Sequence, residues 1–373
     1  MARHYLDHAS TSPARSEVVD AMLPWLSFAA DPGRVHTDGR QSRGAIEGAR
    51  EQVAALLGAR PREVVFTGGA TEAIVAAVWG ATEQRRHVVV PAVEHSAVRD
   101  ASAAFGDVTE VGVDGLGRMD PAEVLTAIRP GDTGLVHVQW ANHEVGTLQP
   151  VVEVVAGCRE RGVLVHVDAA CAAGHLPVDF RSLGADLLSV SAHKLGGPQG
   201  VGALLVRRGL RLRPLLVGGE QERSRRAGME NVAGIVGFGA AAATLASTLD
   251  QEAAAARAQT DALIAAATAV DGVVTYGDPV HRVPHIACLG VAGVEAEAVL
   301  LGLDQAGIAA HSGSACSSES LEPSPVLAAM GVEAERSLRV SVGWSTTDTD
   351  VDGFRGAFPG VVSRLRSLRS VSE

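Results

Sequence analysis

The sequence predicts an α/β fold built around a mostly parallel sheet, and three observations carry that prediction. Short apolar runs of strand length alternate with alanine-rich amphipathic segments through the first two thirds of the 373-residue chain. After about residue 250 the pattern shifts to a mixture of strands and helices that suits a smaller α+β unit. The composition, 46% hydrophobic and 20% charged, supplies a large core for two subdomains.

In chain order the buried strands are expected at "EVVFTGG", "HVVVP", "GLVHVQW", "VLVHVDAA", "DLLSVSA" and "VGALLVRR". Helical stretches such as "TEAIVAAVWGAT" and "VVEVVAGCRERG" separate several of them, as parallel strands require. The segment "NVAGIVGFGAAAATLAS" reads as a buried helix, too short and too glycine-rich to span a membrane. "QEAAAARAQTDALIAAATAV" opens the smaller unit, which continues through "VVTYG", "HIACLGV", "EAEAVLLGLDQAG" and "SLRVSVGW" and closes on an amphipathic helix in "GVVSRLRSLRSVSE".

Charge and composition narrow the function. A net charge of -11 and only 3% aromatic residues argue against direct nucleic-acid binding, because the Arg-rich stretches "ERSRRAG" and "RRGLRLRP" are short and stacking platforms are scarce. "MARHYLDHASTSP" lacks the apolar stretch of a signal peptide, so a cytoplasmic protein with no membrane partner is expected. Cys158, Cys171, Cys288 and Cys316 show no CxxC pair and no metal-like spacing with His, so free thiols and no metal are expected.

In such folds ligands sit beyond the carboxyl ends of parallel strands, and three of those ends carry unusual residues. "VVFTGGATEA" places Gly69, Ala70 and Thr71 at a helix start, which is either an anion cradle for a phosphate or a plain strand-to-helix turn with a Thr cap. "VLVHVDAA" ends on Asp168, a carboxylate that caps a helix, forms a salt bridge or faces a protonated ring nitrogen. "DLLSVSAHKLGGPQGVGALLV" holds Lys194 between two apolar strands, after Ser191 and His193; it is either a surface lysine in a glycine-rich hairpin or an amine used in chemistry. A phosphate cradle, an acid and a lysine together point to pyridoxal 5'-phosphate.

With those residues in place, the chain resembles the fold-type I pyridoxal phosphate enzymes of aminotransferase class V, in particular the NifS/IscS-type cysteine desulfurases. "VVFTGGATEA", "VEHSAV", "ANHEVGTLQP", "HVDAACAAGHLPVD", "SVSAHKLGGPQGVGAL", "GGEQERSRRAGMENVAGIVG" and "SGSACSSESLEPSPVL" occur in family order. The resemblance implies a large cofactor-binding domain over residues 15–255 with a mostly parallel seven-stranded sheet. It assigns residues 1–14 and 256–373 to a smaller α+β domain carrying the catalytic-cysteine loop.

It further implies that Lys194 is the Schiff-base lysine, Asp168 the partner of the pyridinium nitrogen and His95 the ring-stacking residue that helps move protons. Gly69 would contact the cofactor, Ala70, Thr71, Ser191 and His193 would hold its phosphate, Asn142 the ring-oxygen side or the substrate, and Arg339 the substrate carboxylate. Cys316, on a loop of small residues, would take sulfur from L-cysteine as a persulfide, release L-alanine and pass the sulfur to an acceptor protein docking nearby. A homodimer is implied.

Departures from the family pattern gather in the same region. Cys171 stands where a glutamine beside the cofactor's ring oxygen is usual, and a thiol is a weaker donor. Met229 replaces a threonine expected to reach the neighbouring subunit's phosphate, Glu220 replaces a glycine, and Trp344 stands where arginine is frequent. "ADPGRVH" also differs from the usual loop. A related class V reaction (selenocysteine lyase, C–S lyase or aminotransferase) and a degenerate scaffold in a sulfur-transfer complex are the alternatives.

Overall fold

Seven strands build the central sheet: β1 Val64–Thr67, β2 His87–Pro91, β3 Asp107–Val111, β4 Thr133–Gln139, β5 Leu164–Asp168, β6 Leu187–Ser191 and β7 Gly202–Val206. In this computed structural model, which describes residues 3–312 and 323–370, they lie in the order β1-β7-β6-β5-β4-β2-β3. Neighbours from β3 to β6 pair in parallel, and β7 runs antiparallel to both β6 and β1. The mostly parallel sheet expected from the alternation is present. Six of its strands are the apolar runs read from the sequence; β3 is the seventh, and its mostly exposed "DVTEV" at the sheet edge has no apolar run to announce it.

Strands β1, β2, β4, β6 and β7 are buried along their whole length, and β5 nearly so. Helices cover both faces of the sheet, which is why these strands read as continuous apolar runs. A second core, from Leu6 and Ala256 to Val362, lies around the antiparallel sheet of β8 Val273–Tyr276, β9 Ile286–Val291 and β10 Ser337–Ser341. His4–Tyr5 joins this unit by pairing in parallel with Ile308–Ala309.

The two helices expected on either side of residue 250 are one, Val232–Thr268, 37 residues long. Ala and Leu continue through the junction, with no Gly or Pro between "LASTLD" and "QEAAAA" to stop it. Ile235, Phe238 and Leu245 pack in the large-sheet core, whereas Ala256, Leu263 and Ala267 pack in the second. Long and apolar enough to cross a membrane, the helix instead spends its apolar side chains joining two cores.

A buried ion pair organises the strand that leads to the site. Arg50, on the helix Thr37–Leu56, donates from Nη1 and Nη2 to the two carboxylate oxygens of Glu222 at 2.7 Å each. Phe66 N–H of β1 donates to the same carboxylate at 3.0 Å. The pair holds Glu222, Arg223 and Ser224 at φ of 48°, 59° and 61°, a left-handed run that costs about 1–2 kcal/mol per residue without glycine. Beyond it, Arg226 donates to Glu72 at 2.9 Å, and Glu72 accepts the Gly68 N–H at 2.7 Å.

With side chains only 0% and 1% exposed, this pair falls among buried rather than surface ion pairs. Glu222→Gln or Arg50→Ala is therefore expected to lower the unfolding free energy by about 3–5 kcal/mol in urea titrations. A loss below about 1 kcal/mol would contradict that assignment.

Candidate active site

The strand ends converge on a cavity of roughly 760 Å³ lined by residues of the large sheet and, through Arg339 and His311, of the second unit. Gly69, at φ 152°, turns the chain from β1 into the helix Ala70–Ala81, a conformation that suits glycine. No described side chain caps this helix, and its first residues Ala70 and Thr71 line the cavity at the positive end of the helix dipole. Gly202 lets β7 lie against this turn, since a Cβ there would stand 2.6 Å from the Gly69 carbonyl carbon.

Asp168 ends β5 and is nearly buried. It accepts hydrogen bonds from Ala170 N–H at 2.9 Å and Ser189 Oγ at 3.3 Å, both through Oδ1, which leaves Oδ2 able to accept from a ligand. Lys194 follows β6 in the short turn Ala192–Leu195, with Ser191 and His193 beside it on the cavity wall. Its Nζ donates to Cys171 Sγ at 3.1 Å. Lys194 is also the sole lysine among 32 basic Lys and Arg residues, a count with meaning because arginine cannot serve as a nucleophilic amine at neutral pH.

His95 caps the helix Ser96–Phe105 by accepting Ala97 N–H at 3.1 Å, and its ring meets His143 edge to face at 4.9 Å. Burial, then His143 and Lys194, push His95 down to about 3. Burial, then Lys194 and Arg339, do the same for His143. His193 is lowered to about 4, by burial first and Lys194 second. All three imidazoles are neutral at physiological pH. Behind them Glu94 is buried, and burial followed by the charge of Asp168 raises its carboxyl well above the usual range.

Arg339 reaches the cavity from β10. Its Nη1 donates to His143 O at 2.8 Å, and its Nη2 donates to Asp7 Oδ1 at 2.8 Å and Ser10 Oγ at 2.6 Å. Among the described residues its buried Nε donor has no hydrogen-bond partner.

The cavity thus brings together Gly69, Ala70, Thr71, His95, Asp168, Cys171, Ser191, His193, Lys194 and Arg339. Asn142 is not on its wall. Its Nδ2 is used on Val93 O and Gln139 Oε1, and its Oδ1 accepts the Glu144 and Val145 amides, so the fully buried side chain closes the turn after β4. The neighbouring His143, which motif reading passes over, lines the cavity instead. Cys316 lies outside the described residues. The donor set fits a small phosphorylated aldehyde with a basic ring: uncapped amides for a dianion, a carboxylate for a ring N–H, one amine and flat neutral imidazoles.

Residues 4–354 match the family description Aminotransferase class-V. The chain belongs to this family. Among curated relatives, a cysteine desulfurase of Trichormus azollae is 41% identical, covering 98% of this chain and 94% of that protein. The putative cysteine desulfurase IscS 1 of Bacillus subtilis is 42% identical, covering 98% and 100%. A solved NifS-like protein superposes with a TM-score of 0.90 at 30% identity over 97% of this chain and all of its own. A chain described as SspA in complex with cysteine does so at 0.80 and 30%, over 91% and 99%.

The neutral histidines give a pH dependence. Unfolded imidazoles take up a proton below 6.5, whereas His95 and His143 in the fold resist it down to about 3. Their contribution is intact above 6.5 and is lost as pH falls from there toward about 3. Unfolding free energies from urea titrations are expected to drop by at least about 2 kcal/mol between about pH 7 and about pH 5; no drop would contradict the burial of neutral rings.

Proposed function

We propose that the protein is a pyridoxal phosphate-dependent L-cysteine desulfurase that converts L-cysteine to L-alanine and leaves the sulfur on Cys316. The observation that carries this reading is the placement of the chain's sole lysine in the same cavity as Asp168 and the start of a helix with no side-chain cap among the described residues. Cysteine desulfurase names among relatives of about 40% identity support it.

When bound, pyridoxal phosphate supplies an aldehyde and an electron-withdrawing ring that takes up the electrons left as a substrate Cα proton departs. Lys194 is the amine that holds it. The amides of Ala70 and Thr71, with Ser191 and His193, receive its phosphate, and Asp168 keeps a proton on its ring nitrogen. The neutral ring of His95 lines the site without adding a positive charge that would disfavour a protonated ring nitrogen facing Asp168.

Arg339, on the cavity wall, holds the carboxylate of L-cysteine through its guanidinium, orienting the Cα–H toward the Lys194 amine, which accepts that proton once the substrate amine has released it from the cofactor. The Cys316 thiolate attacks the substrate sulfur. An S–S bond forms, the C–S bond breaks, and the carbon fragment takes up protons and leaves as alanine. The sum is L-cysteine and Cys316 thiol giving L-alanine and Cys316 persulfide.

A protein acceptor then takes the outer sulfur. A homodimer accompanies this reading: Val217 and Met229, 77% and 67% exposed beside the segment that carries Arg226, are apolar surface suited to a second copy.

The test is alanine formation from L-cysteine by the loaded enzyme and its Cys316→Ala variant. The variant is expected to lose activity on the order of 10³-fold while keeping cofactor absorbance. Undiminished alanine formation in the variant would contradict the role of Cys316 and favour a related class V reaction.

A further inference from the structure

All three described cysteines are buried, but only Cys171 lines the cavity. Burial pushes Cys158 and Cys288 up to about 12, and both pack in apolar cores away from the cavity. Cys171 lines the cavity, and its sulfur is 3.1 Å from Lys194 Nζ. A small oxidant entering the cavity therefore meets a thiol already in contact with the chain's one lysine. Lys194 stands on a single short turn, so its side chain needs only a modest rotation to close the remaining gap.

We propose that Cys171 is an oxidation site whose product is a covalent bond to Lys194, so that peroxide-class oxidants close the cofactor-free cavity to pyridoxal phosphate. In the first step Cys171 sulfur attacks a peroxide oxygen and the O–O bond breaks. The sulfur is oxidised by two electrons to a sulfenic acid, and one water leaves. In the second, the neutral Lys194 amine attacks that sulfur, an S–N bond forms and the S–O bond breaks. The amine proton leaves with the hydroxyl as a second water.

The sum is one thiol, one amine and one hydrogen peroxide giving one sulfenamide and two waters. Excess small thiol reverses it: two thiols become a disulfide, and Cys171 and Lys194 are restored. Loading protects the pair, because the bound cofactor occupies the amine. The blocking of loading rests on the reading of Lys194 as the cofactor's amine.

Mass spectrometry of the full-length protein in a Cys316→Ala background tests this, since the predicted nucleophile is then absent. Trypsin cuts at Arg181, between the two residues, so an S–N bond appears as two joined peptides whose summed mass lacks one pair of hydrogen atoms. After stripping the cofactor and adding hydrogen peroxide, joined peptides and a loss of most cofactor absorbance on reconstitution are expected. Both should revert with dithiothreitol. Protein kept loaded during the oxidation should show neither effect.

In the Cys171→Ser variant, or Cys171→Ala if the serine variant is unstable, peroxide should cause no joining and no loss of loading. Unjoined peptides in a protein that loads its cofactor on Lys194 would overturn the inference. Joined peptides with loading intact would overturn the blocking and also refute the cofactor reading of Lys194. Loss of loading that is equal in Cys171→Ser would assign the damage elsewhere and overturn the role of Cys171.

Discussion

Strand register is the constraint on which the site depends. Gln139, Asp168 and Ser189 stand level across β4, β5 and β6, while Thr67, Gly202 and Ser191 stand level across β1, β7 and β6. Each level ends at the cavity. A slip of one residue in β5 would turn Asp168 to the opposite face of the sheet and into the apolar core, where an unpaired carboxylate is costly. The apolar residues on both faces hold that register, so packing far from the cavity determines the chemistry inside it.

The charges left at the site are few and each has a distinct setting. Asp168 is anionic, with hydrogen bonds to one of its oxygens. Arg339 is cationic, tied to Asp7, Ser10 and His143 O, with its Nε unpaired among the described residues. The surrounding histidines are neutral because burial outweighs the attraction of Asp168. A ligand bearing a dianion, a ring N–H and an aldehyde finds a complementary group for each. The Arg50–Glu222 and Arg226–Glu72 pairs extend this order outward by fixing the strained segment and the Gly68 amide at the edge of the cradle.

Much of this was legible in the sequence because it is local. The strand runs, the Gly68–Gly69 turn, Asp168 at a strand end and Lys194 between strands are each readable within ten residues. What escaped was either long-range or masked by composition. Arg50 and Glu222 are partners across 172 positions, and no local pattern joins them. β3 is an edge strand with polar residues, and the helix Val232–Thr268 crosses a boundary that a change in pattern had suggested. Asn142 and His143 are adjacent, and only the turn geometry decides that the histidine reaches the cavity. The single lysine was visible to a plain count.

The most direct test of the central claim, that converging strand ends present Lys194 to pyridoxal phosphate, is borohydride reduction of the loaded protein followed by peptide mapping. The account predicts one stable pyridoxyl adduct on the peptide containing Lys194. An adduct confined to the N-terminal amine, or none from a protein that retains its cofactor, would contradict it.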